Sequence, residues 1–483
     1  MPAAPVYLLR YHARVMDTAP APGRGTPLLT LLNRPVVLLA LGLGLSAAAG
    51  SAFIAVVNHS LLPIDVKPLV QLFFLLSAIG TGMFAAFEQE MTRAVSRALA
   101  LGHSEADVIR HQVRNAAWVG IGTVAAVCAA SPYITHHWFY GDWLVFGELL
   151  IGLAGIWASF LIRGVLSGRQ QFRSYAITMV VEGLARLLPS LVLALLGVGS
   201  TWSQGLVFAL GSAVAAVSGL FVARAPIPFE APAGAEAEVA ASSEPETANQ
   251  AAVRLARLTG GVLAGQVLMY AMPLVVNGRL SSDSEAGLVQ AVGAAVGLTR
   301  LALLILFPLQ APLLPKLSAA AALGRMAEVR RMTGILVAVC ICAGLAGVAG
   351  VGLAGSWVMI NVMGAKTPLS TALLMELATG TLFLLVANIL QSALTALNRQ
   401  QTVLVAWSLG VVAMFIVFAV PLGPLTTAAI ASLVGPAVTM VVMAWDVLRT
   451  TGGRHAASAS SAQPEGEPGK AEPVVEPASR QST

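Results

Sequence analysis

Apolar runs near the roughly 20 residues that a helix needs to cross a bilayer recur twelve times along this chain. They cover residues 36–57, 67–87, 114–134, 143–163, 174–197 and 204–223, then 256–278, 287–314, 333–355, 370–392, 402–422 and 425–446. In hydrocarbon every backbone polar group has to be satisfied inside the protein, so each run reads as a helix. Hydrophobic residues make up 57% of the 483 and charged residues only 11%, against about 25% charged in soluble domains. The expected class is an all-α polytopic membrane protein with 12 transmembrane helices.

Three polar stretches frame two sets of six spans. Residues 1–34 read as a disordered cytoplasmic lead, with Pro20, Pro22 and Pro27 among scattered arginines and no secretory-leader pattern. Met16 is a second candidate start beside Met1. Residues 224–252, rich in Ala, Pro and Glu, read as a disordered linker between an N-lobe at 35–223 and a C-lobe at 253–446. Residues 447–483 read as a disordered tail. With both termini placed in the cytoplasm, 23 of the 28 basic residues fall on cytoplasmic segments, among them Arg163, Arg169 and Arg173. Only Lys67, Arg279 and Lys366 fall on outer loops, and Arg186 and Arg300 lie inside spans. That asymmetry is the positive-inside pattern. It also accounts for the net charge of +5 without a nucleic-acid partner. Cys128, Cys340 and Cys342 read as small core residues. Neither they nor the 7 His residues have metal-ligand spacing, so no metal or cofactor is implied.

The halves echo each other. Asn58 is followed by Gln71 thirteen residues on, and Asn277 by Gln290 at the same interval. Arg169-Gln170-Gln171 between spans 4 and 5 recurs as Arg399-Gln400-Gln401 between spans 10 and 11. Both echoes fall at the same place in the six-span count. They predict a duplicated 6+6 architecture with parallel repeats, an axis along the membrane normal and a substrate path between the lobes.

Charges inside the spans mark the candidate path. Arg300 sits near the middle of 287–314, where a charge costs roughly 2.5–3.5 kcal/mol on insertion scales. Its repeat position in the first half is Thr81, so the shared framework does not require the charge. Glu182 and Arg186 are four apart on one helix face and can pair. They read either as a neutralised structural pair or as cavity-lining groups that open to an anion or a proton. One central polar layer with Arg300 is expected. Glu88 and Arg93, in FEQEMTRAVSR at the cytoplasmic end of span 2, read as an interfacial salt-bridge patch or as gating residues. Pro273, Pro308, Pro312 and Pro315 are expected to kink spans 7 and 8. No GxxxxGK[ST] loop is present, so transport would draw on an ion gradient or the membrane potential.

Twelve spans in a 6+6 duplication, FEQEMTRAVSRALALG after span 2 and RGVLSGRQQF between spans 4 and 5 resemble bacterial polysaccharide-biosynthesis flippases. These belong to the multidrug/oligosaccharidyl-lipid/polysaccharide (MOP) superfamily, with Wzx-type O-antigen flippases and the lipid II flippase MurJ as relatives. The resemblance implies a V-shaped pair of six-helix lobes in the bacterial cytoplasmic membrane. It implies flipping of an undecaprenyl-pyrophosphate-linked glycan by alternating access, with membrane lipids, glycan polymerases and glycosyltransferases as partners and no enzyme activity. In MurJ-like members a span-8 arginine holds the lipid-linked pyrophosphate, and Arg300 occupies that place. Their span-1 and span-2 arginines have no counterpart, which points to a lipid-linked sugar other than lipid II. The alternative within the superfamily is a MATE-type cation/multidrug antiporter. That chemistry calls for cavity-facing acids, whereas the deepest unpaired charge here is basic.

Overall fold

The structure, a computed structural model, describes residues 35–100, 104–223, 248–280, 282–301, 317, 320–321, 324–397 and 399–452. The lead, most of the linker and the tail therefore lie outside the described residues. So does the second half of the 287–314 run, with Pro308, Pro312 and Pro315. All regular structure among the described residues is helical.

The first lobe contains α1 (Pro35–Ser60), then α2 (Pro63–Leu75), which continues through a π-helical turn (Leu76–Thr81) into α3 (Gly82–Ala100). There follow α4 (Glu105–Ala129), α5 (Ser131–His137), α6 (Trp143–Gly168), α7 (Phe172–Leu195) and α8 (Thr201–Val222). The second lobe contains α9 (Ala248–Arg279), α10 (Ala286–Arg300), α11 (Met326–Asn361), α12 (Thr371–Ala396), α13 (Gln400–Ala419) and α14 (Pro424–Gly452). Among the described residues ten helices are long and apolar enough to cross a membrane, and eleven if α4 and α5, bent by 59°, form one span. The remaining expected span is described only as α10, which ends at Arg300.

Local chemistry sets the helix ends. Asp142 caps α6 by accepting from the N–H groups of Leu144 and Val145. Ser200 and Ser203 form a capping box at α8. The turn before α6 runs through positive φ at Tyr140 and Gly141, which reverses the chain within a few residues. Several edges differ from the sequence reading because interfacial polar turns continue helices whose middles are apolar. Helix α9 begins at Ala248, inside the expected linker, and α14 runs to Gly452, inside the expected tail.

Within the first lobe α1 packs on α7, α6 on α8 and on α3, and α7 on α8. Within the second, α12 packs on α11 and α14, and α13 on α14 and α9. The lobes meet along α3–α9 and α2–α10. Outward faces are apolar: Leu353 is 91% exposed, Phe221 85% and Leu195 78%. Such a surface suits lipid rather than water. Cys128 and Cys342 are exposed and only Cys340 is buried, which corrects the expectation that all three sit in the core.

Small residues let helix backbones touch. A Cβ added at Gly410 of α13 would lie 2.1 Å from Thr439 Oγ1 and 2.8 Å from the Gly435 carbonyl oxygen of α14. Gly410→Val should therefore wedge α13 from α14, at an overpacking cost of about 1–3 kcal/mol. Lower thermal stability of the purified variant checks this; an unchanged melting curve contradicts it.

Candidate functional site

The first lobe holds a cavity of about 300 Å³ lined by polar groups from three elements, the π-helical turn, α6 and α7, including Thr81, Ser159, Arg163, Tyr175, Glu182 and Arg186. The Glu182–Arg186 pair forms as expected, with Arg186 Nη2 2.6 Å from Glu182 Oε1. It has a third member. Arg163 Nη2 of α6 lies 2.5 Å from Glu182 Oε2, and the same side chain donates to Thr178 Oγ1 at 3.2 Å. Ser212 of α8 donates to Glu182 Oε1 and accepts from Arg186. Two guanidiniums thus share one carboxylate. Arg186 also lies 4.5 Å from the centre of the Phe208 ring, and its Nε has no hydrogen-bond partner.

Arg163 corrects the topology reading, which put it at the cytoplasmic end of its span. Helix α6 continues to Gly168, so Arg163 is more than a turn inside and only 4% exposed. The signal was in the sequence: the apolar run resumes as GVLSG after the arginine. Glu88 has a partner on another helix. It accepts from the Tyr175 hydroxyl at 2.6 Å on the cavity side. Arg93 pairs with Glu90 instead, at 2.7 Å. The ion pair of this segment is thus Glu90–Arg93, while Glu88 bonds to a tyrosine of α7.

The second lobe has its own, smaller cavity of about 30 Å³ between α9, α10, α12 and α14. Arg300 lines it together with Thr299, Thr381 and Ser432. Arg300 Nη2 donates to the Met269 carbonyl, and the guanidinium lies 4.7 Å from the centre of the Tyr270 ring. Nη1 is buried and has no partner. Among the described residues no carboxylate pairs with Arg300. The two cavities share no lining residue. Thr81 lines the first and Arg300 the second, as their repeat positions require.

The repeated Asn/Gln pairs meet at the end of the lobes opposite the basic loops. Gln71 Nε2 donates to the Leu274 carbonyl at 3.3 Å, and Gln290 Nε2 to the Asn58 carbonyl at 3.2 Å. Asn58 Nδ2 donates to the Met363 carbonyl at 2.8 Å, and the Tyr140 hydroxyl to the Asn277 carbonyl at 3.0 Å. Burial pushes the Tyr140 hydroxyl pKa up, which keeps it a donor. Lys67, expected in an outer loop, is in α2 and only 2% exposed; it donates to the Ser282 carbonyl at 3.1 Å and lies 4.0 Å from the centre of the Tyr140 ring. All five bonds cross between lobes and close that end. The echo found in the sequence thus marks a latch.

No protein-family model matches the chain. It is 25% identical over 381 residues to an uncharacterized protein of Mycobacterium tuberculosis, covering 75% of this chain and 80% of that protein. An uncharacterized protein of Mycobacterium bovis is 25% identical over 369 residues, covering 74% and 79%. Among solved structures, an inward-facing multidrug resistance MATE family transporter of the MOP superfamily matches with a TM-score of 0.64 at 14% identity, covering 88% of this chain and 99% of that one. A MOP superfamily transporter from Pyrococcus furiosus, reported with reverse polarity of its binding pocket, matches with a TM-score of 0.57 at 13% identity, covering 88% and 99%. This chain is a multi-pass helical membrane protein with the two-lobed fold of the MATE transporters of the MOP superfamily.

Proposed function

We propose that the protein flips a lipid-linked oligosaccharide or polysaccharide precursor, carried on undecaprenyl pyrophosphate, across the bacterial cytoplasmic membrane by alternating access. Arg300 carries this reading. A guanidinium with a free, buried Nη1 on a cavity and no described carboxylate partner is a site for an anion. Arg186, with its free Nε beside the larger cavity, supports it. Both termini are cytoplasmic in this reading, and glycan polymerases or glycosyltransferases are the natural partners. The test is deletion of the gene followed by analysis of lipid-linked sugars. Accumulation of a glycan precursor in the inner leaflet is the expected result, and an unchanged lipid-linked pool rules the reading out.

The fold likeness to multidrug resistance transporters favours a second reading, export of organic cations by antiport. An organic cation needs a carboxylate free to receive it in the cavity, and Glu182, the one acid lining either described cavity, already has both oxygens bound to arginine. Drug sensitivity on deletion without any glycan defect would select this reading over the first.

The latch is the surface that has to part for release on the far side. Gln290→Ala removes the bond to Asn58 and Gln71→Ala the bond to Leu274, both of which cross between the lobes. At about 0.5–1.5 kcal/mol each, the double variant should visibly repopulate the arrangement in which this end is open. Pulsed spin-label distances between Leu62→Cys and Asp283→Cys, with the native cysteines replaced by Ser, should gain a longer component. An unchanged distribution would mean that these bonds do not hold the lobes closed.

A further inference from the structure

A second buried acid lies outside both cavities. Glu148 is on α6, about 8 Å along the helix from its start at Trp143. It is 1% exposed, and neither carboxyl oxygen has a hydrogen-bond partner. The side chain lies against Gly205 of α8, where a Cβ would sit 1.9 Å from Glu148 Oε2. The carboxyl thus packs directly on the backbone of this glycine. Beside Gly205, Gln204 donates to the Ser190 carbonyl at 3.3 Å, while Gln204 Oε1 and Ser190 Oγ also lack partners. Several buried polar atoms of this lobe thus lack partners, both carboxyl oxygens of Glu148 among them.

The surrounding charges do not neutralise it. Asp142, the acid nearest in sequence, caps α6 through its Oδ1. Helix α8 carries no charged residue. On α2, Lys67 is engaged by Ser282 and Tyr140, and Asp65 is acidic. On α7, Arg186 and Glu182 bind each other. His136 and His137 of α5 are exposed, and the charges of α3 and α4 lie towards the opposite end of the lobe. An ionised carboxylate here would be a buried, uncompensated charge, far costlier than the neutral acid. In this arrangement the group is the carboxylic acid.

We propose that Glu148 is the proton-binding site that couples this transporter to a proton gradient. With the latch closed the carboxyl holds one proton; when α8 shifts against α6 and water reaches it, that proton passes to water and leaves a solvated carboxylate. No covalent bond other than O–H changes. The proposal rests on the transporter reading but not on the identity of the cargo.

The test is labelling of the purified full-length protein with dicyclohexylcarbodiimide, which reacts with protonated carboxyls in apolar surroundings, followed by peptide mass spectrometry. Glu148 should be labelled, and labelling should fall about tenfold per pH unit above its midpoint, as one titrating group requires. An unlabelled Glu148, or labelling flat with pH, overturns the proposal whatever the cargo. Glu148→Gln, an isosteric mimic of the acid, gives the second arm. Proteoliposomes loaded with a polyprenyl-pyrophosphate oligosaccharide should lose their acceleration by an imposed pH gradient while keeping gradient-free exchange. Retained acceleration in that variant also overturns it. If the native protein moves no such lipid, the cargo reading fails, and the labelling result still decides the proton site.

Discussion

Arg300→Ala is expected to slow glycan-lipid flipping by one to two orders of magnitude, or about 1.5–3 kcal/mol, while leaving the protein at its normal level in the membrane. The side chain contributes to the fold only a bond to the Met269 carbonyl and the contact with Tyr270. To a phosphate it would offer charge-assisted hydrogen bonds worth about 1.5–3 kcal/mol, or roughly 10- to 150-fold in rate. Arg300→Lys separates charge from shape. It keeps a cation but loses the planar fork, and should fall between the two. Flipping of a fluorescent polyprenyl-pyrophosphate oligosaccharide in proteoliposomes, set against the amount of protein reconstituted, measures both. Native flipping by the Ala variant would remove Arg300 from the path.

The largest stability effect should come from Glu182→Leu. This change strands two guanidiniums, Arg163 and Arg186, in a lobe that offers them only Thr178 and Ser212. Removing one partner of a buried ion pair costs about 3–5 kcal/mol, so the purified variant should melt well below the native protein. Replacing all three charged members with Leu removes the stranded charges and should restore most of the loss. The triple variant then tells scaffold from pathway. If the triad only holds α6, α7 and α8 together, transport returns with stability. If it handles substrate or ions, the stable triple variant stays inactive. A Glu182→Leu protein that melts like the native chain would show that the triad is not coupled as its distances imply.

Most of the fold was legible in the sequence because a membrane helix has to announce itself with its own apolar run. The duplication was legible because it left polar residues, Asn58, Gln71, Asn277 and Gln290, at matching places in an otherwise uniform apolar text. Their role was not legible. An amide in a span looks the same whether it glues neighbours within a lobe or reaches across to the other. Arg300, Arg186 and Glu182 stood out as charges between apolar neighbours, and each lines a cavity. Arg163 did not stand out, because a charge near a run's edge looks interfacial until the helix end is known. Glu88 faced the same ambiguity of direction: Arg93 lies about a turn and a half along the same helix, but the partner Glu88 uses, Tyr175, comes from another helix. Nothing in LSAIGT announced the π-helical turn beside the first cavity, since such turns arise from packing and not from composition.

The latch carries a consequence for how the two halves can diverge. Gln71 reaches the second lobe's first helix, and Gln290 reaches the first lobe's first helix. Asn58 bonds the loop before α12, while Asn277 is bonded by Tyr140 in the loop before α6. The glutamines thus bond reciprocally across the lobes, while the asparagines differ: Asn58 donates through its side chain and Asn277 accepts through its backbone carbonyl. A single gene that encodes both copies is free to alter one without the other. The glutamine contacts stay common to both halves, while the asparagine contacts and the interiors differ, with an ion-paired triad in one and, among the described residues, an arginine without a carboxylate partner in the other.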